Sequence, residues 1–150
     1  WEVWRAMESL VDSGAVRTLG ASNMNIQHLR ELLAGARIKP KYVQNRCFAR
    51  TRWDHDIREL CQQADITYQG FSLLTANRIE LAKPPVQALA QKYDVTVQQL
   101  VFAFAQGIDI LPLTGTSNIA HMKQDLAALQ LDITAEDRST LLNIGVTDRK

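Results

Sequence analysis

An α/β fold built on a parallel sheet is what this sequence predicts, on two observations. Short apolar runs alternate with stretches of helical periodicity, and strand alternating with helix implies parallel strands joined by helical crossovers. Three of the runs also close on small hydrogen-bonding side chains: Val16-Arg17-Thr18-Leu19-Gly20-Ala21-Ser22-Asn23, Tyr42-Val43-Gln44-Asn45 and Ile66-Thr67-Tyr68-Gln69-Gly70-Phe71-Ser72. Strands that end this way make the floor of a ligand pocket, because parallel βα folds place their sites at the carboxyl ends of the strands.

Each element has its own signal. Trp1, Trp4, Met7, Leu10 and Val11 recur at helical spacing, and Gly14 follows as a stop. Val16 to Gly20 reads as the first strand, and Asn25 caps a helix carrying Ile26, Leu29, Leu32 and Leu33. Lys39-Pro40 closes that unit before a second strand, Tyr42 to Cys47. Asp54 starts a helix with Ile57, Leu60 and Cys61 on one face, and Ile66 to Phe71 is the third strand. A longer connection containing Pro84 and Pro85 leads to Val86, Leu89 and Ala90, then to a helix capped by Thr96. Asp109 to Pro112 is the fourth strand, and Asn118 or Ser117 caps a helix with Ile119, Met122 and Leu126. Thr134-Ala135-Glu136-Asp137 resembles a capping box that opens a last helix. Residues 1–150 read as one domain.

Composition narrows the function classes. The 150 residues carry 17 Lys+Arg against 16 Asp+Glu, a formal charge of +1, which leaves no footprint for nucleic acid or an acidic membrane. Arg46, Arg50 and Arg52 cluster with Trp53 in what reads as a solvated loop, with an anion-facing loop as the alternative. Cys47 and Cys61 have no Cys-x-x-Cys spacing and read as reduced thiols of a cytoplasmic protein. No apolar run reaches the ~20 residues needed to span a bilayer. His28, His55 and His121 are scattered without ligand spacing, so no metal site is expected. The chain opens on Trp1 already in helical pattern, and the expectation is a chain that begins inside a larger protein.

The candidate binding residues gain meaning together. Taken alone, Ser22 and Asn23 suit a turn and a helix cap. Gln44 is neither a turn former nor a favoured strand residue, and its amide offers both donor and acceptor to a carboxamide. Phe71 beside Ser72 sets an aromatic face next to a hydroxyl, a place to stack a planar heterocycle or simply core. Gly115-Thr116-Ser117-Asn118 follows the last strand and opens a helix, where free N–H groups attract an anion; a plain helix cap reads equally well. Gly-x-Ser-x-Gly, Walker and Gly-x-Gly-x-x-Gly patterns are absent from the sequence.

Four segments, in order, resemble the aldo-keto reductases. They are Met7 through Asn23, Lys39-Pro40 running into Val43-Gln44-Asn45, Gly70-Phe71-Ser72-Leu73-Leu74, and Leu111-Pro112 leading to Gly115-Thr116-Ser117-Asn118. The resemblance implies the carboxyl-terminal half of a TIM-type (β/α)8 barrel, four strands with helices outside, from a reductase that uses NADP. By matching position, Ser22, Asn23 and Gln44 would hold the nicotinamide carboxamide, and Phe71 would stack on the ring where the family usually has Tyr. Ser72, Leu74 and Asn77 would lie along the pyrophosphate. Gly115, Thr116 and Ser117 would cradle the adenosine-side phosphate, with Gln124 and Asp125 near adenine. The position of an Arg that the family places near the 2′-phosphate is His121 here, with Lys123 close by. A neutral His gives less charge and no bidentate fork, so NAD stands beside NADP. Phe48 stands where many members have His.

The family's catalytic Asp, Tyr, Lys and His come from the first four strands, which this chain does not contain. Tyr42, Tyr68 and Tyr93 match other family positions, so no catalytic residue is assigned. The expected function is the cofactor-binding half of an NAD(P)H-dependent reductase, taking a small carbonyl substrate only when the missing half is supplied. The alternative is a non-catalytic nucleotide-binding or docking module that self-associates as a homodimer through its open barrel face.

Overall fold

The structure, a computed structural model, describes residues 1–146. The chain runs α1 (Glu2–Asp12), β1 (Gly20–Ser22), α2 (Ile26–Gly35), β2 (Tyr42–Arg46), α3 (His55–Gln63), β3 (Thr67–Phe71), α4 (Arg78–Leu81), α5 (Pro84–Lys92), α6 (Val97–Gln106), β4 (Leu111–Pro112), α7 (Ile119–Ala127) and α8 (Ala135–Asn143). The strands form one parallel sheet in the order β1-β2-β3-β4, so each pairs with its neighbour in sequence.

The period of the strands separates two unlike faces. Val43, Asn45, Tyr68 and Gly70 are buried, while Tyr42, Gln44, Thr67, Gln69 and Phe71 are exposed or half-buried. The helices cover the first set. Leu29 of α2, Cys61 of α3, and Leu100, Val101 and Phe104 of α6 join Val43 and Tyr68 in a core from which water is almost excluded. Each large apolar side chain buried there contributes about 1.5–3 kcal/mol. A smaller cluster of Trp4, Leu19, Leu32 and Ala36 holds α1 against α2.

Local signals explain the helix starts. Asn25 accepts the His28 N–H at 2.8 Å. Thr96 and Gln99 form a complete capping box at α6. The box at Thr134 forms only halfway. Thr134 Oγ1 accepts the Asp137 N–H, but the Asp137 carboxylate turns instead to Lys92, Tyr93 and the Thr134 hydroxyl. Pro84 and Pro85 are not in a connecting loop as expected. They open α5, where the missing N–H costs nothing and the fixed φ suits a helix.

Two further expectations are corrected. The first strand begins at Gly20 rather than Val16, because ladder pairing reaches only from Gly20 opposite Tyr42 to Ser22 opposite Gln44. Trp53 is not a loop residue in solvent. It is fully buried, its indole N–H donates to the Leu141 carbonyl at 2.9 Å, and its ring meets Phe104 edge-on at 5.1 Å. Arg46, Arg50 and Arg52 stay exposed around it. Trp53 sits between Arg52 and Asp54 in three successive left-handed residues, with φ of 52°, 57° and 56°. Such positions cost on the order of 1–3 kcal/mol each, which the indole's burial offsets. Asp54 therefore begins α3 without capping it. Its carboxylate accepts from Tyr68 Oη at 2.7 Å, Thr51 Oγ1 at 2.9 Å and Asn45 Nδ2 at 3.3 Å.

Candidate functional site

The register sets a polar row across the open face near the carboxyl ends of the strands. Ser22 pairs with Gln44, and Gln44 pairs with Gln69. Gln44 Nε2 donates to Gln69 Oε1 at 3.1 Å, which orients the Gln44 amide and leaves its Oε1 and second N–H for a ligand. Gln69 is a residue that the sequence reading missed. Its only signal was a second Gln at the same place in a neighbouring strand. One row further along, Arg46 pairs with Phe71, and the guanidinium lies 5.8 Å from the centroid of the Phe71 ring.

Ser22 is held at a reversal of the chain. Asn23 takes a left-handed φ of 55°, and its N–H donates to the Gln44 carbonyl at 2.9 Å. Ser72 has the same conformation after β3, with φ of 57°. Both strands thus turn sharply at the point where their last side chains meet the site.

Beyond β3 and β4 lie two adjoining cavities. One, of about 250 Å³, is lined by Ser72, Leu74, Thr75, Thr114 and Gly115 among others. The other, of about 470 Å³, takes in Leu74, Gly115, Thr116, His121, Gln124 and Asp125. Phe102, shared by both, and Thr96 and Gln98 are further lining residues that sequence reasoning did not single out; α6 brings them there. A Cβ placed on Gly115 would meet nothing within 4 Å, so the fold itself does not demand glycine there.

Not every expected residue fits. Asn77 is buried at 1% exposure, accepts the Ala49 N–H at 2.7 Å, and donates to the carbonyls of Cys47 at 3.0 Å and Leu73 at 2.8 Å. Its amide pins the loops after β2 and β3 together and cannot reach a pyrophosphate. Ser117 is exposed and lines neither cavity. The helix start at α7 is partly satisfied by its own side chains. Asn118 Oδ1 accepts the N–H groups of Ala120 and His121, and Thr116 Oγ1 accepts that of Asn118.

The buried polar groups on the helix side are structural. Burial, with the Asp54 charge second, pushes the Cys47 thiol up to about 12 and the Cys61 thiol up to about 11. Neither can serve as a nucleophile. Burial also raises the Tyr68 phenol far above its ordinary range. A depression of about 420 Å³ lies at the opposite, amino ends of β3 and β4, against Asp65, Thr67 and Asp109. Its guanidinium, Arg58, is spent on the carbonyls of Trp53 and Ile108 at 2.7 Å each. Among the described residues no three His, Cys, Asp or Glu side chains converge to hold a metal, and no helix is long and apolar enough to cross a membrane.

Residues 1–144 match the Aldo/keto reductase family. This chain belongs to that family. An NAD/NADP-dependent indole-3-acetaldehyde reductase of Schizosaccharomyces pombe is 30% identical over 154 residues, covering 99% of this chain and 54% of the relative. An NADPH-dependent alpha-keto amide reductase of Saccharomyces cerevisiae is 25% identical, covering 97% of this chain and 49% of its own length. Solved structures agree in fold. An aldo-keto reductase from a Medee basin deep-sea metagenome library superposes with a TM-score of 0.85 at 23% identity, covering 98% of this chain and 55% of that one. Another, complexed with NADPH, also gives 0.85 at 21% identity, covering 97% and 47%. The chain spans about half the length of the relatives it matches, and its sheet is a portion of their (β/α)8 barrel. The open face of the sheet is thus the side that lines the interior of a barrel.

Proposed function

We propose that this chain is the cofactor-binding, carboxyl-terminal half of an aldo-keto reductase that reduces aldehydes or ketones with a nicotinamide dinucleotide. The observation that carries the reading is the succession of polar groups along the carboxyl ends of the strands. A polar row of Ser22, Gln44 and Gln69 is followed by Phe71 and Ser72 and by the two cavities bounded by Leu74, Gly115 and Thr116. Gln44, fixed by Gln69, presents the donor and acceptor that a carboxamide needs, and Phe71 offers an aromatic surface beside it.

Bound there, the dinucleotide supplies hydride. Ser22, Gln44 and Phe71 would hold its nicotinamide end, which would make the transfer a matter of orientation rather than encounter. Phe71 would offer its ring face to the nicotinamide, and Arg46, whose guanidinium lies over that ring, would have to move aside. The proton for the carbonyl oxygen comes from residues of the other barrel half. Within this chain Tyr68 and Tyr93 already donate to Asp54 and Asp137. Two buried free thiols, Cys47 and Cys61, fit a reducing, cytoplasmic compartment.

The open face also speaks for a ligand rather than a second copy of the chain. Its exposed or half-buried positions are Tyr42, Gln44, Arg46, Thr67, Gln69, Phe71 and Leu111, a set in which amide, hydroxyl and guanidinium groups outnumber the one aliphatic side chain. Titration of the 150-residue chain with NADH and NADPH, followed by calorimetry, tests the reading. Saturable one-to-one binding of at least one of them is expected, and absence of binding to both removes it.

A further inference from the structure

The polar row on the open face ends in a guanidinium that no carboxylate holds, and this bears on the class of substrate; the inference rests on the dinucleotide reading above. Gln44 and Arg46 are two residues apart on β2, so both side chains belong to the open face, about 7 Å apart along the strand. Arg46 is the last residue of β2, at the carboxyl end, where parallel βα folds bind their ligands. It is exposed, and its guanidinium lies over the Phe71 ring. Arg50 rests in the same way on Phe48, 4.1 Å from the ring centroid, and Arg52 is exposed two residues later.

The loop after β2 offers these groups no counter-charge. Among the described residues the ion-paired bases are Arg5, Arg37, Lys41 and Lys92, and none of the three arginines joins them. Asp54, the nearest acid in sequence, gives its carboxylate to Tyr68, Thr51 and Asn45, and Asp56 forms no ion pair. A guanidinium stacked on a ring keeps its in-plane N–H donors, and that planar fork matches a carboxylate in two parallel bonds.

We propose that Arg46 binds the carboxylate of an anionic carbonyl substrate, so that the complete site reduces aldehydes or ketones bearing a carboxylate in preference to neutral ones. Arg46 and Phe71 are ladder partners, about 5 Å apart across the strands. A guanidinium that gives up the Phe71 ring therefore remains beside whatever lies on that ring. Arg50 adds to the positive field from the loop without being held by an acid of its own.

The test is steady-state reduction, near neutral pH and at low salt, by a protein that contains the complete barrel. Two matched pairs are compared: 4-formylbenzoate with its methyl ester, and succinate semialdehyde with methyl 4-oxobutanoate. In at least one pair the carboxylate is expected to show a kcat/KM about tenfold above its ester, carried by KM and shrinking at high salt. Arg46→Gln should remove that advantage and Arg46→Lys should keep part of it; circular dichroism confirms that both variants fold. Esters reduced as well as the carboxylates in both pairs, or no reduction of any of the four by protein that binds the dinucleotide, overturns the anionic class and leaves the dinucleotide reading intact. A preference that survives Arg46→Gln overturns the role of that residue. Weaker dinucleotide binding by Arg46→Gln in calorimetry assigns the guanidinium to the dinucleotide's own phosphates and overturns the substrate role. Failure of the unaltered protein to bind either dinucleotide removes both readings together.

Discussion

Asn45 closes both backbone hydrogen-bonding groups of Met24 from the neighbouring strand: its Oδ1 accepts the Met24 N–H at 2.9 Å, and its Nδ2 donates to the Met24 carbonyl at 2.8 Å. The amide acts as an extra rung of the ladder just where β1 ends, so the turn carrying Ser22 and Asn23 is fastened to β2. Asn45 is itself buried at 5% exposure. Asn45→Ala leaves both groups of Met24 without that partner and is expected to lower stability by about 1–3 kcal/mol in urea unfolding followed by circular dichroism. Dinucleotide affinity should fall with it. A variant with wild-type stability would show that water satisfies the turn equally well.

Gln44→Ala and Phe71→Ala are each expected to weaken dinucleotide binding by about tenfold in a protein that contains the complete barrel, the loss of one good hydrogen bond or stacking surface. Gln69→Leu should weaken it less, because it frees the Gln44 amide to rotate without removing it. Calorimetric titration reads all three. Wild-type affinity in both the Gln44 and Phe71 variants would remove the nicotinamide wall from this face.

Acid should loosen α1. Burial alone would raise the Glu8 carboxyl, but hydrogen bonds from Arg5 and the N–H groups of Ile38 and Arg37, with the Arg5 charge, outweigh it and bring the group from 4.5 to about 2. A carboxyl depressed on folding adds stability that is complete above its unfolded value and is lost as pH falls through its folded one. The melting temperature should therefore drop from about pH 4.5 toward pH 2, and Glu8→Gln should flatten part of that decline. Asp137, also lowered to about 2, chiefly by Lys92, then Tyr93 and Thr134, accounts for some of the remainder. Identical pH profiles for wild type and Glu8→Gln would dismiss the Glu8 contribution.

Both thiols should be silent in the native state. With Cys47 and Cys61 buried and raised to about 12 and 11, an aromatic disulfide reagent at pH 8 is expected to titrate neither until denaturant is added. Rapid labelling of either in native buffer would place it at the surface.

Where the chain used local chemistry, the sequence was readable. The caps at Asn25 and Thr96 and the strands around Val43 and Tyr68 follow from side-chain type and period alone, while the structure decides for Asn118 over Ser117 at α7. The exceptions depend on distant partners. Trp53 reads as solvated among three arginines, because nothing near it announces the Leu141 carbonyl and the Phe104 ring that receive it. Asn77 shares a segment with groove residues, yet its amide is consumed by Ala49, Cys47 and Leu73, a trio that only the folded chain assembles. The resemblance implies Gln124 and Asp125 near adenine, and the structure puts both on the wall of one cavity. That the helix end beside them is already capped by Asn118 is a fact of geometry.

Trp53 and Leu141 are 88 residues apart, and Gly145 abuts the backbone of Ala49 and Arg50 with no room for a Cβ. The loop after β2 therefore cannot settle until α8 has left the ribosome and docked. Contacts across such a separation form late and slowly. During synthesis, the loop that follows the Gln44 strand therefore gains its full set of contacts only once α8 has emerged.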